Sequence, residues 1–397
     1  MKRYLSKFNL TYDVVKGCIY DCLNGTTTRC SRWSRRDTAF FIAEYIIDFY
    51  KKKGYAYIPS INLMAKKVHK MAINERNKLF PVVDYIAKEI YLEIKEKRIK
   101  LYPIKYDERY DPLAKKIRKI GISTIKQQCY DYIAVDCLKE MFLAKIGHYQ
   151  CASLKYRGQL YGKQAIETWI RTNPKKCKWI FKADVKKCYP SISHDVLKNY
   201  LKRDVKNDDL LYVTFSLIDT YEEGLCIGSY LSQFLANYFL SYAYHYVTEM
   251  LYSERRQKRQ NLIHHTLFYM DDIILLGSNK KHVKKASMML EKFLNDKLSL
   301  ELKSTHQLFP LDSRPIDMMG YKIYTYKTTV RKRIFHNANK VFSRNKGKDK
   351  ISLKDSYKII SYYGYFKYTN SRGYIKKVKL NQTLKIAKEV ISNETKS

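Results

Sequence analysis

The sequence predicts an α+β fold with a helical N-terminal part, a central part that mixes strands and helices, and a basic helical C-terminal part. Apolar residues recur at helical spacing over residues 36–100, whereas short apolar runs near 102–121, 179–184 and 268–274 are typical of strands. Hydrophobic residues make up 45% of the 397 positions, which excludes a disordered chain and supports an ordinary core. We expect two or three subdomains around one main core.

The N-terminal part of the chain is predicted to be mainly helical. Phe40, Ile42 and Ile46 lie at roughly helical spacing, and glycines are few there. The most apolar stretch, residues 39–50, is interrupted by acidic residues and is too short to span a bilayer. The first residues lack the apolar segment of a signal peptide. Because the nine cysteines are also scattered and odd in number, we expect a cytoplasmic protein with no membrane partner.

The remaining elements are predicted in order along the chain. Residues 102–121 are expected to form two strands around a loop, residues 123–144 a long helix, and residues 147–164 a segment rich in glycine and basic side chains. Later elements are a helix from 165, a strand at 179–184, a helix at 228–250, a hairpin at 268–274, an amphipathic helix at 281–298, strand-like runs near Leu302 and Ile323, and a basic helical tail from Arg331 with an exposed loop at 346–350. His264 and His265 have no partner at metal-ligand spacing and are predicted to be polar strand surface.

The charge of the chain favours a nucleic-acid partner. Lys and Arg total 76 against 38 Asp and Glu, which gives a formal net charge of +38. Such an excess destabilises a compact chain by self-repulsion unless a polyanion is nearby. The chain also has 37 tyrosines, and aromatic rings stack on bases while cations hold phosphates. The alternatives are a highly soluble surface for the charge and the core for some of the tyrosines.

The segment Phe-Tyr-Met-Asp-Asp-Ile-Ile at 268–274 is the most informative motif. Apolar runs on both sides predict a tight β-hairpin with Asp271 and Asp272 as its two-residue turn. Adjacent carboxylates repel each other, and a divalent cation removes that cost. The pair is therefore interpreted as half of a metal site, with a solvated turn as the alternative.

Three other motifs accompany the hairpin. A strand-like run ends at Asp184 and continues as Val-Lys-Lys-Cys-Tyr-Pro-Ser-Ile, and a loop Gly-Leu-Cys-Ile-Gly-Ser-Tyr-Leu-Ser-Gln occupies residues 224–233. After the hairpin, residues 316–323 read Ile-Asp-Met-Met-Gly-Tyr-Lys-Ile and are predicted to form a strand that contains Met319 and Gly320. In this order the motifs resemble the palm motifs of reverse transcriptases, over roughly residues 100–370. The glycine loop is most similar to that of bacterial reverse transcriptases, although Cys226 stands where a proline is usual.

The resemblance implies a right-hand polymerase fold, with an antiparallel palm sheet packed with helices. It divides the chain into an N-terminal mainly helical extension at 1–100, fingers at 101–183, a palm at 184–328 with a fingers insertion at about 195–222, and a basic helical thumb at 329–397. It also implies the catalytic group: Asp184, Asp271 and Asp272, joined by the backbone carbonyl of Val185, would hold two Mg²⁺ ions, for which Mn²⁺ can substitute.

The resemblance further implies residues that bind nucleotide, primer and template. Tyr189 would be an aromatic gate against the 2′-hydroxyl of the incoming nucleotide, or else a core tyrosine. Arg118 would clamp the triphosphate, in competition with Lys116 and Lys119, or else be a solvated surface charge. The other nucleotide-binding candidates are Gly228, Ser232, Gln233 and Lys303. The primer- and template-binding candidates are Met270, Met319, Gly320, Arg331, Lys332 and Arg333.

The function predicted from these motifs is RNA-directed DNA synthesis from dNTPs. A palm enzyme that makes RNA is disfavoured by the bulky side chain of Tyr189, and a non-catalytic nucleic-acid-binding scaffold is disfavoured by the three aspartates. The extension of about a hundred residues favours a role in bacterial antiphage defence over a diversity-generating retroelement, which is the alternative setting. Expected partners are an RNA template, a DNA product, a structured non-coding RNA, and an accessory protein or a second copy of the chain.

Overall fold

The computed structural model describes residues 4–25, 31–111, 116–255 and 258–394. The chain forms two compact units. The first unit consists of Met1–Gly147, Lys187–Tyr242 and Asn295–Leu300, and the second consists of His148–Lys186, Ala243–Leu294 and Glu301–Ser397. Each unit is therefore assembled from stretches that are distant in sequence.

Helices and strands both contribute extensively, which confirms the predicted α+β class. The helices are α1 (Tyr12–Asn24), α2 (Arg36–Lys52), α3 (Ile61–Asn74), α4 (Phe80–Lys95), α5 (Ile125–Cys137), α6 (Lys139–Lys145), α7 (Gln159–Thr172), α8 (Cys188–Ser191), α9 (His194–Asp204), α10 (Asp208–Ile218), α11 (Tyr230–His245), α12 (Lys280–Leu298), α13 (Lys332–Arg344), α14 (Leu353–Phe366), α15 (Arg372–Lys377) and α16 (Leu380–Glu394). The strands are β1 (Lys105–Asp111), β2 (Lys116–Ile122), β3 (Gln150–Cys151), β4 (Trp179–Asp184), β5 (Tyr252–Arg255), β6 (Lys258–Asn261), β7 (His265–Tyr269), β8 (Asp272–Gly277), β9 (Gln307–Pro310), β10 (Ile316–Met318), β11 (Tyr321–Ile323) and β12 (Thr328–Val330). In the described part of the chain, no helix is both long and apolar enough to cross a membrane.

In the first unit, α1 to α4 form the N-terminal helical extension. The Thr11 side chain accepts a hydrogen bond from the backbone N–H of Val14, and Ser60 does the same for Leu63, so α1 and α3 both begin at capped ends. The inward faces of the helices are apolar and fully buried: Ile19, Leu23, Val83, Ile86 and Ile90. The predicted helical character of this part of the chain is confirmed.

Helix α5 joins the extension to the rest of the first unit. Thr124 and Gln127 form a capping box at its start, in which each side chain satisfies a backbone N–H of the other. Lys126 on α5 lies 2.8 Å from Glu93 on α4, and the Tyr130 hydroxyl donates to the same carboxylate. The extension therefore shares a polar contact with α5 in addition to its apolar core.

The single long helix predicted for residues 123–144 is wrong in one respect, because the chain forms two helices that meet at Leu138. Leu138 has φ −86 and ψ 0, which departs from α-helical geometry and redirects the chain. After this break, Met141 and Phe142 of α6 are fully buried. The sequence lacks a Gly or Pro at the break, so periodicity alone did not indicate it.

Strands β1 and β2 form the antiparallel hairpin predicted for residues 102–121. Lys105 lies opposite Ile122 and Asp111 lies opposite Lys116. The loop between them, including Lys115 of the basic run, lies outside the described residues.

The second unit is built on a five-stranded sheet with the strand order β3-β7-β8-β4-β9. All neighbouring pairs are antiparallel except β3 with β7. Ile180, Leu267, Ile274 and Leu276 are fully buried within the core of this unit. Both β3 and β4 belong to the sheet that carries the Asp-Asp hairpin. The boundary predicted between fingers and palm at residue 183 stays a prediction.

Two turns in this unit differ from their sequence-based prediction. The hairpin turn consists of Met270 and Asp271, because Tyr269 pairs with Asp272 as the last pair of β7 and β8. Met270 takes the positive φ (52°) that a tight hairpin turn requires, which leaves Asp272 on a strand. Likewise Met319 and Gly320 form the turn between β10 and β11 rather than part of a strand, with φ of 54° and 84°.

The C-terminal helices α13 to α16 pack around their own apolar cluster. Ala338, Phe342, Ile359, Phe366 and Leu380 are fully buried there. Residues 346–350 are all exposed, as predicted. At its start α13 carries Lys332 and Arg333, so a basic face begins where the β10-β11-β12 sheet ends. The predicted basic helical tail is confirmed.

Candidate functional site

Asp184 and Asp272 meet across two neighbouring strands of the second unit. Asp184 is the last residue of β4, Asp272 is the first residue of β8, and the antiparallel register places them directly opposite each other. Their carboxyl groups share a hydrogen bond. Both side chains are partly exposed, so this end of the sheet is open to a ligand.

Asp271 completes the acidic group from the hairpin turn. Its backbone oxygen accepts a hydrogen bond of 2.9 Å from the N–H of Val185, which ties the turn to the end of β4. Its negative charge acts on Asp272. Among the described residues, no three His, Cys, Asp or Glu side chains already converge as a complete set of metal ligands. The three aspartates are neighbours: Asp184 and Asp272 are in direct contact, and Asp271 is tied to the end of β4 through Val185.

The two facing carboxyl groups have opposite pKa shifts. Burial raises the pKa of Asp272 to about 7, and the nearby Asp184 and Asp271 add to this effect against Lys182. For Asp184, burial opposes ionisation, but the hydrogen bond with Asp272 and the charges of Lys182 and Lys303 outweigh it and lower the pKa. The two opposite shifts favour ionisation of Asp184 over ionisation of Asp272.

Two lysines compensate the charge of the carboxylates. The Nζ atom of Lys182 lies 3.7 Å from Asp184 Oδ2 and 3.6 Å from Asp272 Oδ1. The Nζ atom of Lys303 lies 3.3 Å from Asp184 Oδ1, and its backbone N–H donates to the Asp184 carbonyl at 2.8 Å. Lys303 was predicted from the motifs, but Lys182 was missed. The signal for Lys182 was strand periodicity, which places residues 182 and 184 on one face.

The donor set of this site fits a divalent metal ion of the hard, oxygen-preferring kind. Carboxylate oxygens from two strands and a turn are the ligands that Mg²⁺ takes in proteins, and few of them suffice when substrate phosphates complete the shell. Asp184, Asp271 and Asp272 together carry more negative charge when ionised than Lys182 and Lys303 neutralise, and a divalent cation would compensate the remainder. Val185 is the first residue after β4, and its backbone N–H donates a hydrogen bond to the backbone oxygen of Asp271.

The residues predicted to contact the primer also lie in the second unit. Met270 is half-buried in the hairpin turn, whereas Met319 is buried. A Cβ at Gly320 would lie 2.7 Å from the Tyr365 ring and 2.8 Å from Ile334, so only glycine fits this turn. Arg331 donates its backbone N–H to the Gly320 oxygen at 2.9 Å and its guanidinium pairs with Asp317 at 2.5 Å.

The glycine loop belongs to the first unit and packs against the end of β2. Gly228 has φ 118, and a Cβ there would lie 2.7 Å from the backbone oxygen of Gly121. Ser232 is fully buried on α11, while Gln233 is half-buried. Gly228 is exposed, so of these three residues it is the one that presents backbone at the surface.

A buried aspartate that sequence reasoning missed supports this loop. Asp131 on α5 accepts hydrogen bonds from the Ser229 hydroxyl at 3.0 Å and from the Tyr230 N–H at 3.2 Å, so it caps the N-terminus of α11. Burial raises the pKa of Asp131 to about 7, against the hydrogen bonds that it accepts. Nothing in the sequence indicated it, because the cap lies 98 residues away from the loop.

The other predicted nucleotide-binding residues of the first unit are Tyr189 and Arg118. Tyr189 is half-buried in the short helix α8, and its backbone oxygen accepts the Leu225 N–H at 2.8 Å, next to the glycine loop. Arg118 is partly exposed on β2 and its guanidinium lies 2.7 Å from Asp111. Of its competitors, Lys119 pairs with Glu222 and Lys116 is exposed. Their roles toward a triphosphate stay predictions.

Comparison with known proteins agrees with the motifs. The family described as "Reverse transcriptase (RNA-dependent DNA polymerase)" matches residues 104–323. No curated protein is significantly similar to the chain in sequence. Among solved structures, telomerase from Candida tropicalis with a fragment of telomeric RNA is 14% identical, covers 100% of this chain and 77% of that chain, and has a TM-score of 0.46. Telomerase from Candida albicans with an RNA fragment is 11% identical, covers 83% and 72%, and has a TM-score of 0.40.

The family match spans more than half of the chain and includes the acidic strand end, the glycine loop, the Asp-Asp hairpin and the Met-Gly turn. The chain therefore belongs to the reverse transcriptase family. It is an RNA-directed DNA polymerase, which is a nucleotidyltransferase, and it uses divalent metal ions as reverse transcriptase domains generally do.

Proposed function

We propose that Asp184, Asp271 and Asp272 are the catalytic carboxylates of this polymerase and that Mg²⁺ is the metal they hold, with Mn²⁺ able to replace it. The observation that carries this proposal is the direct pairing of Asp184 with Asp272 at the open end of two strands, beside the turn residue Asp271. The Val185 carbonyl is a further oxygen ligand. When bound, two Mg²⁺ ions supply the charge that activates a primer 3′-hydroxyl and stabilises the departing pyrophosphate.

The protein's own groups then align and neutralise the reactants. The Lys303 ammonium lies 3.3 Å from the Asp184 carboxylate, and it can donate a proton to pyrophosphate. Lys182 keeps the two facing carboxylates together until metal and substrate arrive. Arg118, Gly228, Ser232 and Gln233 are assigned to nucleotide and template, and Tyr189 to the exclusion of a 2′-hydroxyl.

Primer extension on an RNA template tests the metal ligands. We expect wild-type protein to extend a DNA primer with dNTPs and Mg²⁺, and Asp271→Asn to lose at least about a thousandfold in rate, because one charged ligand is removed from the transition state. Asp312→Asn changes an exposed aspartate of the same unit and should keep wild-type activity. Full synthesis by the Asp271→Asn protein would contradict the assignment.

The same assay with rNTPs tests the gate. We expect poor incorporation of rNTPs by wild type and improved incorporation by Tyr189→Ala, since the smaller side chain leaves space for the 2′-hydroxyl. Equal use of dNTPs and rNTPs by wild type would favour the RNA-making alternative. Binding of RNA without any synthesis would favour the non-catalytic scaffold.

For the biological role, we propose antiphage defence in bacteria with a dedicated structured non-coding RNA as partner. The support is the helical extension ahead of the β1–β2 hairpin, whose helices bury apolar faces and in which basic residues outnumber acidic ones. Structured RNA is recognised largely by shape and phosphate contacts, which suits a basic chain. The alternative is a diversity-generating retroelement, and an accessory protein or a second copy are the other partners proposed for the extension.

Sequencing the nucleic acid that co-purifies with the protein separates these settings. A single abundant structured RNA, with complementary DNA that starts at a defined position, is expected for the defence role. Copies of a variable coding segment would instead indicate the retroelement. Phage plating on cells with wild-type or Asp271→Asn protein adds a direct test, because protection should require the catalytic aspartate.

A further inference from the structure

The connection between β3 and α7, residues 152–157, is an unusual loop that the assigned site does not use. We call it the β3–α7 loop. Ala152, Ser153 and Tyr156 all have positive φ, of 80°, 58° and 65°, although none is glycine. The loop is closed by backbone hydrogen bonds from Ala152 to Arg157 at 2.8 Å and from Arg157 to Leu154 at 3.1 Å. Non-glycine residues in this region are strained, and such strain concentrates at functional sites.

Both ends of the loop are held beside the hairpin of the candidate site. Strand β3 runs parallel to β7, so Cys151 pairs with Tyr269 and the loop leaves the sheet next to Met270. Where the loop ends, the side chain of Gln159 hydrogen-bonds to the side chain of Tyr269. Tyr269 lies two residues before Asp271. The loop is thus anchored at both ends within two residues of a catalytic aspartate.

The helix that follows the loop packs on the Met-Gly turn. Gly162 on α7 is so close to Met319 that a Cβ would lie 2.7 Å from its sulfur atom. The β3–α7 loop therefore leads from the strand beside the hairpin turn at Met270 into a helix that packs on Met319, and both turns are assigned to the primer end. In the described part of the second unit, these three turns contain every non-glycine residue of positive φ except Lys379.

The side chains of the loop are suited to nucleic acid. The Tyr156 side chain is 84% exposed, and the Lys155 Nζ lies 5.1 Å from the centre of its ring. Lys155 forms no ion pair with any carboxylate that the structure describes. A loop that only reverses the chain more commonly places Gly or Asn at positive φ than the Ala, Ser and Tyr found here. Bases stack on exposed aromatic rings, and lysines contact phosphates.

We propose that the β3–α7 loop binds the primer strand close to its 3′ end, with the Tyr156 ring packed on a nucleotide and Lys155 on the adjacent phosphate. The choice of the primer strand rests on the proposed function, because it follows from the assignment of Met270, Met319 and Gly320. The binding of a nucleic-acid strand by the loop follows from its exposed ring and its lysine together with its position beside the hairpin, where Cys151 pairs with Tyr269.

Photocrosslinking tests the contact independently of synthesis. A DNA primer with 5-iododeoxyuridine at its last or next-to-last position is annealed to an RNA template, mixed with the full-length protein and irradiated, and the modified peptide is identified by mass spectrometry. We expect attachment at Tyr156 in wild type. Tyr156→Ala should lose the crosslink and raise KM for primer–template about tenfold, with KM for dNTPs unchanged.

Two further variants make the outcome specific. Tyr156→Phe keeps the ring and should behave as wild type. If Tyr156→Phe instead behaved like Tyr156→Ala, the proposal that the ring packs on a nucleotide would be overturned. Tyr326→Ala is the matched control, because Tyr326 is 75% exposed with Lys327 5.1 Å from its ring. Tyr326 lies in the turn between β11 and β12, whereas the Met-Gly turn precedes β11. The Tyr326→Ala protein should retain both crosslink and KM.

The two proposals fail in different ways. Normal extension with unchanged KM in Tyr156→Ala and no crosslink at the loop would overturn the loop proposal alone. A crosslink at Tyr156 in a protein that extends no primer would support the loop and overturn the proposed function. Absence of both crosslinking and extension in wild type would overturn both.

Discussion

At the scale of single residues, Lys182 controls the charge of the candidate site. Its ammonium lies between the carboxylates of Asp184 and Asp272, at 3.7 Å and 3.6 Å, and it is mostly buried. A fixed cation there attracts both carboxylates in the absence of metal and repels a metal ion that approaches them. Lys182 should therefore favour an ordered metal-free site at the expense of metal affinity.

Replacing Lys182 with Met should reveal both effects. We expect Lys182→Met to bind Mn²⁺ up to about tenfold more tightly, because a like charge is removed from the site, and to unfold at a lower temperature in chelator. Electron paramagnetic resonance of free Mn²⁺ and thermal denaturation measure these changes without any turnover. Lys186→Met removes an exposed lysine that pairs with Glu301, and it should alter neither. Weaker metal binding by Lys182→Met would show that the ammonium assists the metal.

His265 differs from its predicted position on the polar surface of a strand. Its ring is half-buried and stacks on Trp169, with centroids 4.7 Å apart and an interplanar angle of 9°. Burial lowers the pKa of His265 to about 4, with His264 and Lys176 adding to the effect. An adjacent His–His pair in the sequence gave no indication that one ring would leave the surface.

The lowered pKa predicts a dependence of stability on pH. Between about pH 6.5 and pH 4 the unfolded chain binds a proton at His265 that the folded chain does not, so His265 lowers stability as the pH falls through this range, whereas the raised pKa values of Asp131 and Asp272 act in the opposite direction. His265→Phe keeps a ring against Trp169 and removes this one titration, so it should gain stability relative to wild type as the pH falls from 6.5 to 4. Urea unfolding at pH 7.5, 5.5 and 4.5 measures it. The exposed His306→Phe should keep the wild-type slope.

At the scale of elements, the glycine loop and the β1–β2 hairpin meet at backbone distance. Gly228 and Gly121 leave no space between them, since a Cβ on Gly228 would lie 2.7 Å from a carbonyl oxygen. The Gly121 N–H also donates to the Ile227 oxygen at 2.8 Å. The loop is therefore positioned by backbone contacts on one side and by the Asp131 cap on the other.

Gly228→Ala should lower the free energy of unfolding by about 2 kcal/mol or more, because the new Cβ meets backbone and φ 118 is unfavourable for alanine. Chemical denaturation measures the loss. Gly364→Ala is the control, since Gly364 lies within α14 with nothing within 4 Å of its Cβ position, and alanine should raise stability there by about 0.5–1 kcal/mol. Equal stability of both variants would mean that the loop can relax away from Gly121.

Elements were predicted well where one periodicity continued to a clear end. β4 and α12 follow their patterns because their apolar residues are buried, as Ile180 and Phe181 of β4 and Leu290 and Leu294 of α12 are. The β1–β2 hairpin also forms as predicted, although its strands are mostly exposed. Predictions failed at junctions, such as the break at Leu138 and the identity of the hairpin turn. There the strand register and the burial of neighbours decide where an element ends, and both are tertiary properties.

At the scale of the whole molecule, the charge of +38 predicts nucleic-acid binding that depends strongly on salt. A protein with six to ten phosphate contacts loses about 10³–10⁵ in affinity between 50 and 200 mM salt. We expect a loss of at least about a hundredfold for RNA in a fluorescence anisotropy titration over this range. An uncharged peptide nucleic acid of the same sequence should bind weakly at both concentrations. Salt-independent affinity for RNA would contradict a phosphate-dominated interface.

The sequence by itself determined the chemistry of this protein. Asp184, the glycine loop, the Asp-Asp hairpin and the Met-Gly segment occur in one order along the chain. Such short motifs can be identified from sequence because each consists of neighbouring residues of fixed type. Net charge and apolar content likewise follow from composition alone. These features sufficed to predict the fold class and the polymerase family.

Tertiary structure alone decided which groups act on one another. The pairing of β4 with β8 brings Asp184 to Asp272 and places Lys182 between them, and the pairing of β3 with β7 brings the strained loop at Tyr156 to the hairpin. Asp131 reaches the glycine loop in the same way, from 98 residues away. Such contacts depend on strand order and register, which arise from burial of the whole core and are not encoded in any short stretch of sequence.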